Sequence, residues 1–388
     1  MPPSIDRDYL LGTLADLVRI DSINPTLVPG GAGESAIAAY VADSLALSGL
    51  AVNRIEPEPG RPSIVGTLEG PRQGSSLMLN AHYDTVGVEG MHEPFSAAIR
   101  DGRVYGRGAY DMKGSLAACM AAAKALADHR ALPAGSLLVA AVADEEYGSL
   151  GTAAVIREVK ADAAIVTEPT ALRVCLAHKG YLWIEVETQG RAAHGSRFEE
   201  GIDANMQMGR FLAELDRLER DLRARPPHRL VGPPSLHAAM IAGGTGLSTY
   251  SASCKLQIER RTVPGETESQ AVREIQEVVD RLSRADSTFR ATVRSFFARD
   301  PFEVVPSARI VQNVERAVEQ VLGHKTAQIG DTPWMDAALL SAAGTETVVI
   351  GPAGAGAHAA EEWVDIASVV QLAEILVRAA VDYCGANR

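Results

Sequence analysis

Apolar positions in the first half of the chain follow two alternating patterns. Residues 5–18 and 35–50 repeat apolar side chains at helical intervals, and residues 115–127 form an Ala-rich stretch of the same kind. Short, almost wholly apolar runs lie between and after these helical stretches, and such runs are typical of strands buried on both faces of a sheet. These predicted strands are 63–68, 76–80, 136–143 and 163–167. Together with a helix at 150–158, the alternation predicts an α/β domain with a largely parallel central sheet.

The pattern changes after His178, where apolar and polar residues alternate as in strands with one wet face. The elements predicted there are a strand at 181–188, a helix at 202–223, strands at 235–242 and 251–260, a helix at 268–283 and a strand at 288–295. This β-α-β-β-α-β order is that of a ferredoxin-like α+β domain.

From about Pro301 the first pattern returns, with predicted helices at 307–322, 335–342 and 366–383 and a strand at 347–350. A chain of 388 residues is long enough for two domains. We therefore expect residues 1–179 and 296–388 to form one domain, into which residues 180–295 are inserted as a second.

Composition excludes several classes of function. The formal net charge of −12 makes binding to a nucleic-acid backbone unfavourable. No apolar stretch reaches the roughly 18 residues of a membrane span, and the first residues do not resemble a signal peptide, so we expect a cytoplasmic protein with no membrane partner. The four cysteines form no CxxC pair and are expected to pack as reduced thiols.

Acids and histidines follow the ends of several predicted strands. Each has an ordinary alternative explanation: Asp111 could cap a helix, and adjacent glutamates are usually solvated. In an α/β sheet, however, such strand ends meet at one edge, where repelling carboxylates need a cation. The residues concerned are His82, Asp84, Asp111, Asp144, Glu145, Glu146, Glu168 and His358.

Two histidines and three carboxylates suit a pair of divalent cations, zinc first, with cobalt or manganese as alternatives. A bridging carboxylate holds two such cations about 3.5 Å apart. They would lower the pKa of a shared water, and a nearby free carboxylate would act as general base.

Seven segments resemble the dinuclear zinc amidohydrolase and exopeptidase family that includes acetylornithine deacetylase, succinyl-diaminopimelate desuccinylase, aminoacylase and carboxypeptidase G. They occur in the family's order and extend over nearly the whole chain. The segments are LNAHYDTV, GRGAYDMKGSLAA, ADEEYGSLGT, VTEPT, GRAAHGS, ERRTVPGE and GPAGAGAHAAEEWV. The resemblance implies a zinc-exopeptidase-like catalytic domain and an inserted domain that acts as lid and dimerisation surface.

The resemblance also assigns roles to single residues. Asp111 resembles the bridging ligand, and Glu145 the general base. Asp84 resembles the acid that orients the ring of His82. The implied metal ligands are His82, Asp111, Glu146, Glu168 and His358.

In the inserted domain, His194 resembles the histidine that stabilises the oxyanion, which comes from the partner subunit in dimeric members. Arg261 resembles the contact to a substrate α-carboxylate, with Arg260 as the alternative. Asp336 occupies the family's usual acidic position, so we expect it to bind substrate. The segments around Gly246 and Asp203 depart from the family pattern. These departures bear on the substrate pocket and not on the metal site.

These roles predict a homodimeric, metal-dependent hydrolase that releases an amino acid from an N-acyl amino acid. A dipeptidase or a glutamate-releasing carboxypeptidase is the first alternative, because both cleave an amide beside an α-carboxylate. An N-carbamoyl-amino-acid hydrolase and a non-catalytic binding protein are further alternatives.

Overall fold

A computed structural model describes residues 2–385 of the chain. The α-helices within these residues are α1 (Arg7–Arg19), α2 (Ser35–Leu47), α3 (Gly114–Asp128), α4 (Leu150–Glu158), α5 (Ala204–Ala224), α6 (Glu268–Ala285), α7 (Arg309–Leu322), α8 (Ala337–Ala342) and α9 (Ile366–Gly385). A short π-helix, Ala109–Lys113, precedes α3. The strands are β1 (Ala51–Ile55), β2 (Ser63–Glu69), β3 (Ser76–His82), β4 (Ala98–Arg100), β5 (Arg103–Tyr105), β6 (Ser136–Val142), β7 (Ala163–Val166), β8 (Val174–His178), β9 (Gly180–Gln189), β10 (Ser235–Gly243), β11 (Ser253–Thr262), β12 (Ala291–Arg299), β13 (Phe302–Glu303), β14 (Gln328–Asp331), β15 (Glu346–Val349), β16 (Gly354–Ala355) and β17 (Trp363–Asp365).

The chain divides into two compact units. The α/β unit contains the residues up to Leu176, Val304–Ile329 and the residues from Met335 on, whereas the inserted unit contains Ala177–Glu303 and Gly330–Trp334. The inserted unit is thus longer than the predicted 180–295. The difference arises because β12 runs on to Arg299 and β13 pairs with the end of β8.

The α/β unit is built on a mixed sheet in the order β1-β2-β6-β3-β7-β15-β8. Its four middle strands, β6, β3, β7 and β15, are parallel to their neighbours in this group, and the outer strands are antiparallel to theirs. Strand β7 is wholly buried and β3 is buried from Leu77 onward. The prediction of a largely parallel, buried sheet is confirmed, and its parallel strands end at one edge.

The inserted unit has an antiparallel sheet in the order β10-β11-β9-β12. Residues Leu182, Ile184 and Val186 of β9 pack in one core with Phe211 of α5 and Ile275 of α6. The alternate residues of β9 are half-buried, as the polar and apolar alternation predicts. The predicted ferredoxin-like element order is confirmed.

Several short or exposed strands had no sequence prediction. Strand β1 is exposed at four of its five positions, and β16, β17, β5 and β4 form a small sheet of two- and three-residue strands.

Within residues 2–385, none of the helices combines the length and apolar character needed to span a membrane. All four cysteines are buried thiols.

Candidate active site

His82 is the last residue of β3 and its side chain is buried. Its Nδ1 lies 3.0 Å from the backbone carbonyl oxygen of Asp84. Its Nε2 faces two acids, at 3.1 Å from Asp111 Oδ1 and 3.6 Å from Glu168 Oε1. One ring nitrogen is therefore occupied by the backbone, and the other is directed to the carboxylate cluster.

Asp111 lies between the two predicted histidine ligands. Its Oδ1 is 3.1 Å from His82 Nε2, and its Oδ2 is 3.5 Å from His358 Nε2. Glu146 Oε2 lies 3.0 Å from the same nitrogen of His358. Each oxygen of Asp111 thus faces a different histidine, which is the arrangement that a carboxylate bridging two cations requires.

Glu145 and Glu168 complete the cluster. Ligand atoms of His82, Glu145 and Glu168 lie within 4.8 Å of one another, as do those of His82, Asp111 and Glu146. Glu145 Oε2 is 4.0 Å from His82 Nε2. The α/β unit therefore brings together the whole predicted ligand set and the predicted base.

The cluster carries more negative charge than its histidines balance. Burial raises the pKa of Glu145 and of Glu168 well above the usual range. Burial, followed by the charge of Asp111, raises the pKa of Glu146 to about 7. Hydrogen bonds to Asp111 and Glu146 raise the pKa of His358 to about 10. Divalent cations would offset the cost of burying these acids and the repulsion between them, so the donor set fits a pair of cations.

The pKa values of His82 and Asp111 are shifted in the directions that favour the charged forms of both side chains. Burial opposes protonation of His82, but the hydrogen bond to Asp111 and the charges of Glu168 and Glu145 raise its pKa well above the usual value. Burial likewise opposes ionisation of Asp111, and hydrogen bonds from His358 and His82 lower its pKa nevertheless. Asp111 is therefore a stable carboxylate between two potential cation positions.

Asp84 was predicted to orient the ring of His82, and its carboxylate lies 3.7 Å from His82 Nδ1. Its closer contacts are with another segment. Asp84 Oδ1 accepts from the backbone N–H of Glu145 at 3.0 Å, and Oδ2 accepts from that of Glu146 at 3.2 Å. Asp84 thus holds the turn that carries two members of the cluster.

Glu362 holds the turn that carries Asp111. Its buried carboxylate accepts from the backbone N–H groups of Gly108 at 3.0 Å, Tyr110 at 2.9 Å and Asp111 at 3.0 Å. Sequence reasoning missed Glu362, although it lies in the quoted segment that contains His358. Residue 361 is also a glutamate, and two adjacent glutamates are ordinarily solvated, so the sequence did not indicate that Glu362 is buried.

A buried charge network behind Asp84 was also missed. Arg61 Nη2 lies 2.7 Å from Glu34 Oε1 and 2.6 Å from Asp144 Oδ1. Asn24 Nδ2 connects this network to Asp84 at 2.8 Å and to Asp144 at 3.0 Å. Asp144 immediately precedes Glu145, so the network supports the same turn.

The predicted substrate contact Asp336 belongs to the α/β unit and is buried. Its Oδ2 accepts a hydrogen bond from the hydroxyl of Thr152. Burial raises its pKa to about 6. Its other oxygen, Oδ1, is buried without a hydrogen-bond partner, and the substrate contact expected of Asp336 stays a prediction.

Two further predicted residues belong to the inserted unit. His194 is exposed, and its Nδ1 lies 2.8 Å from Ser196 Oγ. Arg261 is half-buried on β11, with Nε 2.7 Å from Glu259 Oε1. The alternative, Arg260, is buried against Glu266 and Glu274.

Comparison with known proteins matches residues 78–382 to the model of peptidase family M20/M25/M40. The chain is 28% identical to the N-formyl-4-amino-5-aminomethyl-2-methylpyrimidine deformylase of Halalkalibacterium halodurans, over 98% of this chain and 95% of that protein. It is 29% identical to the acetylornithine deacetylase of Myxococcus xanthus, over 80% of this chain and 81% of the relative.

The fold is similar to that of the YXEP protein of Bacillus subtilis, described as a dinuclear metal-binding peptidase of the M20 family. The TM-score is 0.76 at 14% identity, over 97% of this chain and 98% of that one. The family and fold predicted from the motifs are confirmed. The chain belongs to peptidase family M20/M25/M40.

Proposed function

We propose that the protein is a two-metal hydrolase that releases an amino acid from an N-acyl amino acid. The observation that carries the proposal is the position of Asp111, whose two oxygens face His82 and His358 at 3.1 and 3.5 Å. Membership of a peptidase family and similarity to an amide deacetylase support the same reaction.

The cluster would hold one cation through His82, Asp111 and Glu168, and a second through His358, Asp111 and Glu146. Mixed histidine and carboxylate donors favour zinc, with cobalt or manganese as alternatives. When bound, such cations lower the pKa of a water and polarise an amide carbonyl.

Glu145 would move the proton in this reaction. It removes a proton from the attacking water as the C–O bond forms, and delivers it to the amine nitrogen as the C–N bond breaks.

Arg261 is the better candidate for the substrate carboxylate, because Arg260 is buried and committed to Glu266 and Glu274. The guanidinium of Arg261 remains about one-third exposed, at 32%, and matches a carboxylate bidentately. His194, on an exposed loop, would donate to the carbonyl oxygen as negative charge develops there.

We further propose that the protein is a cytoplasmic homodimer that pairs through the inserted unit. Strand β10 lies at the edge of its sheet and is exposed from His237 to Gly243. Met240 and Ile241 are 67% and 57% exposed, which is unusual for an edge strand without a partner. Sedimentation should give a dimer, and Ile241→Lys should shift it towards monomer.

A second candidate reaction is removal of an N-formyl group from an amine that carries an aromatic ring. The half-buried face of the inserted unit carries Tyr181, Trp183 and Phe297, with the last two rings 4.9 Å apart. Such a surface could stack on a planar ring. The first relative described above acts on a formylated aminopyrimidine.

The test is Glu145→Gln, compared with wild type on panels of N-acyl amino acids, dipeptides, N-carbamoyl amino acids and N-formyl amines that carry an aromatic ring. We expect the variant to retain its bound cations and lose at least about 100-fold in turnover, the lower end for general acid–base catalysis. Near-wild-type turnover would exclude Glu145 as the base. The panel with the highest kcat/KM identifies the substrate class.

A further inference from the structure

Arg107 makes contacts with two separate segments around the cluster, one at Gly87 and one at Ala359 and Glu362. Its side chain is only 3% exposed. Its Nη1 donates to Glu362 Oε2 at 2.6 Å, its Nε to the carbonyl oxygen of Gly87 at 2.9 Å, and its Nη2 to that of Ala359 at 3.0 Å. All three guanidinium nitrogens are thus used, each on a different acceptor.

The first contact leads to Asp111. Glu362 uses Oε2 for Arg107 and for the N–H of Gly108, and Oε1 for the N–H groups of Tyr110 and Asp111. A buried carboxylate depends on its donors for stabilisation, and Arg107 is the donor among these four that carries a full positive charge. Arg107 therefore fixes the backbone that presents Asp111.

The contact with Ala359 leads to His358. The side chain of His358 is 55% exposed, whereas that of His82 is 1% exposed. Packing therefore constrains His358 much less than His82, and its position depends on its backbone, which has a φ of 60°. Arg107 holds the carbonyl oxygen of the next residue, Ala359.

We infer that Arg107 is a positioning residue that sets the separation between Asp111 and His358. This inference rests on the proposed two-cation function and extends it. Metal ligands must be held within about 0.5 Å of their working geometry. Asp111 is shared by both proposed cation sites, whereas His82 and Glu168 have no contact with Arg107 among the bonds described above. Loss of Arg107 should therefore weaken the cation site that includes His358 more than the other.

The test is Arg107→Lys, which keeps a positive charge for Glu362 but cannot reach three divergent acceptors with one nitrogen. Metal-free protein is titrated with Co²⁺, and bound cation is measured by equilibrium dialysis and visible absorption. We expect the affinity for the second Co²⁺ to fall about 10–100-fold, the usual effect of removing a group behind a ligand, and the affinity for the first Co²⁺ to fall by less.

Arg309→Met is the matched control. Arg309 also donates to two acceptors, Ser75 Oγ at 3.1 Å and the carbonyl oxygen of Tyr383 at 2.6 Å, but neither belongs to the cluster. We expect this variant to melt at a lower temperature and to bind both Co²⁺ ions as wild type does. A comparable loss of the second Co²⁺ in the control would mean that general destabilisation, not positioning by Arg107, explains the effect.

Equal affinity for the second Co²⁺ in Arg107→Lys and wild type would overturn the inference and leave the proposed function intact. A wild-type protein that binds fewer than two Co²⁺ would overturn the proposed function itself. If Arg107→Lys has no melting transition, Glu362→Gln replaces it, because it removes the charge that Arg107 holds and keeps an acceptor oxygen. The same selective loss is expected there, and its absence would equally refute the inference.

Discussion

Asp84→Asn should impair the site without changing any proposed ligand. The wild-type carboxylate is fully buried and accepts three hydrogen bonds, from Glu145 N at 3.0 Å, Glu146 N at 3.2 Å and Asn24 Nδ2 at 2.8 Å. In the variant, one oxygen becomes an NH₂ group. The best orientation of the Asn side chain places its oxygen at the position of Oδ2, which keeps the bonds from Glu146 N and Asn24 Nδ2. Its NH₂ group then faces the N–H of Glu145, and two donors cannot form a hydrogen bond with each other.

The variant therefore loses at least one charge-assisted hydrogen bond, worth about 1.5–3 kcal/mol. The free energy of unfolding should fall by about that amount. Because the lost bond holds the backbone of the proposed base, kcat/KM should fall by about 10–100-fold in metal-saturated protein. The assays are thermal unfolding and initial rates on the best substrate of the panel.

Asp162→Asn is the matched control. Asp162 Oδ2 accepts from Ser76 N at 2.8 Å and from Ser76 Oγ at 3.0 Å, at the beginning of β3 and outside the cluster. Both bonds end on one oxygen, which the amide oxygen of Asn can replace, so the control should lose only the charge that strengthens them. We expect its kcat/KM to stay within about twofold of wild type. If Asp84→Asn also retained wild-type kcat/KM after losing stability, the reasoning that Asp84 positions Glu145 would be wrong.

Two further predictions concern the inserted unit. Arg261→Ala should raise KM at least about tenfold for substrates with an α-carboxylate and leave kcat nearly unchanged, because it removes a binding contact; equal KM values in variant and wild type would refute the assignment. Hydrogen bonds from Thr288 and Arg210 lower the pKa of Asp286 from 3.8 to about 2. The ionised carboxylate of Asp286 therefore stabilises the folded protein above pH 3.8, and this contribution disappears as the pH falls through about 2. The difference in melting temperature between wild type and Asp286→Asn should shrink across this window, and a pH-independent difference would contradict it.

The sequence predicted the strands that carry the cluster because burial on both faces leaves a continuous apolar run. Strand β3 is such a run, and His82 is its last residue. The exposed strand β1 and the two-residue strand β16 have no comparable pattern, since neither buries enough side chains to require one.

The residues of the cluster were also predictable, because each follows a recognisable strand or lies in a recognisable motif. The residues that hold the ligands were not, because their partners are distant in the chain. Glu362 bonds to backbone N–H groups about 250 positions away, and a backbone donor has no sequence signature. For Arg61, only the folded structure reveals that its charge is enclosed with Glu34.

The most direct test of the two-cation account is to titrate metal-free protein with Zn²⁺ and to measure bound cation and amide hydrolysis in the same samples. We predict negligible hydrolysis without cation and saturation of binding at two Zn²⁺ per chain, because the ligands form two sets that share Asp111. Full activity in protein that binds no Zn²⁺, or saturation of binding at a single Zn²⁺, would contradict the account.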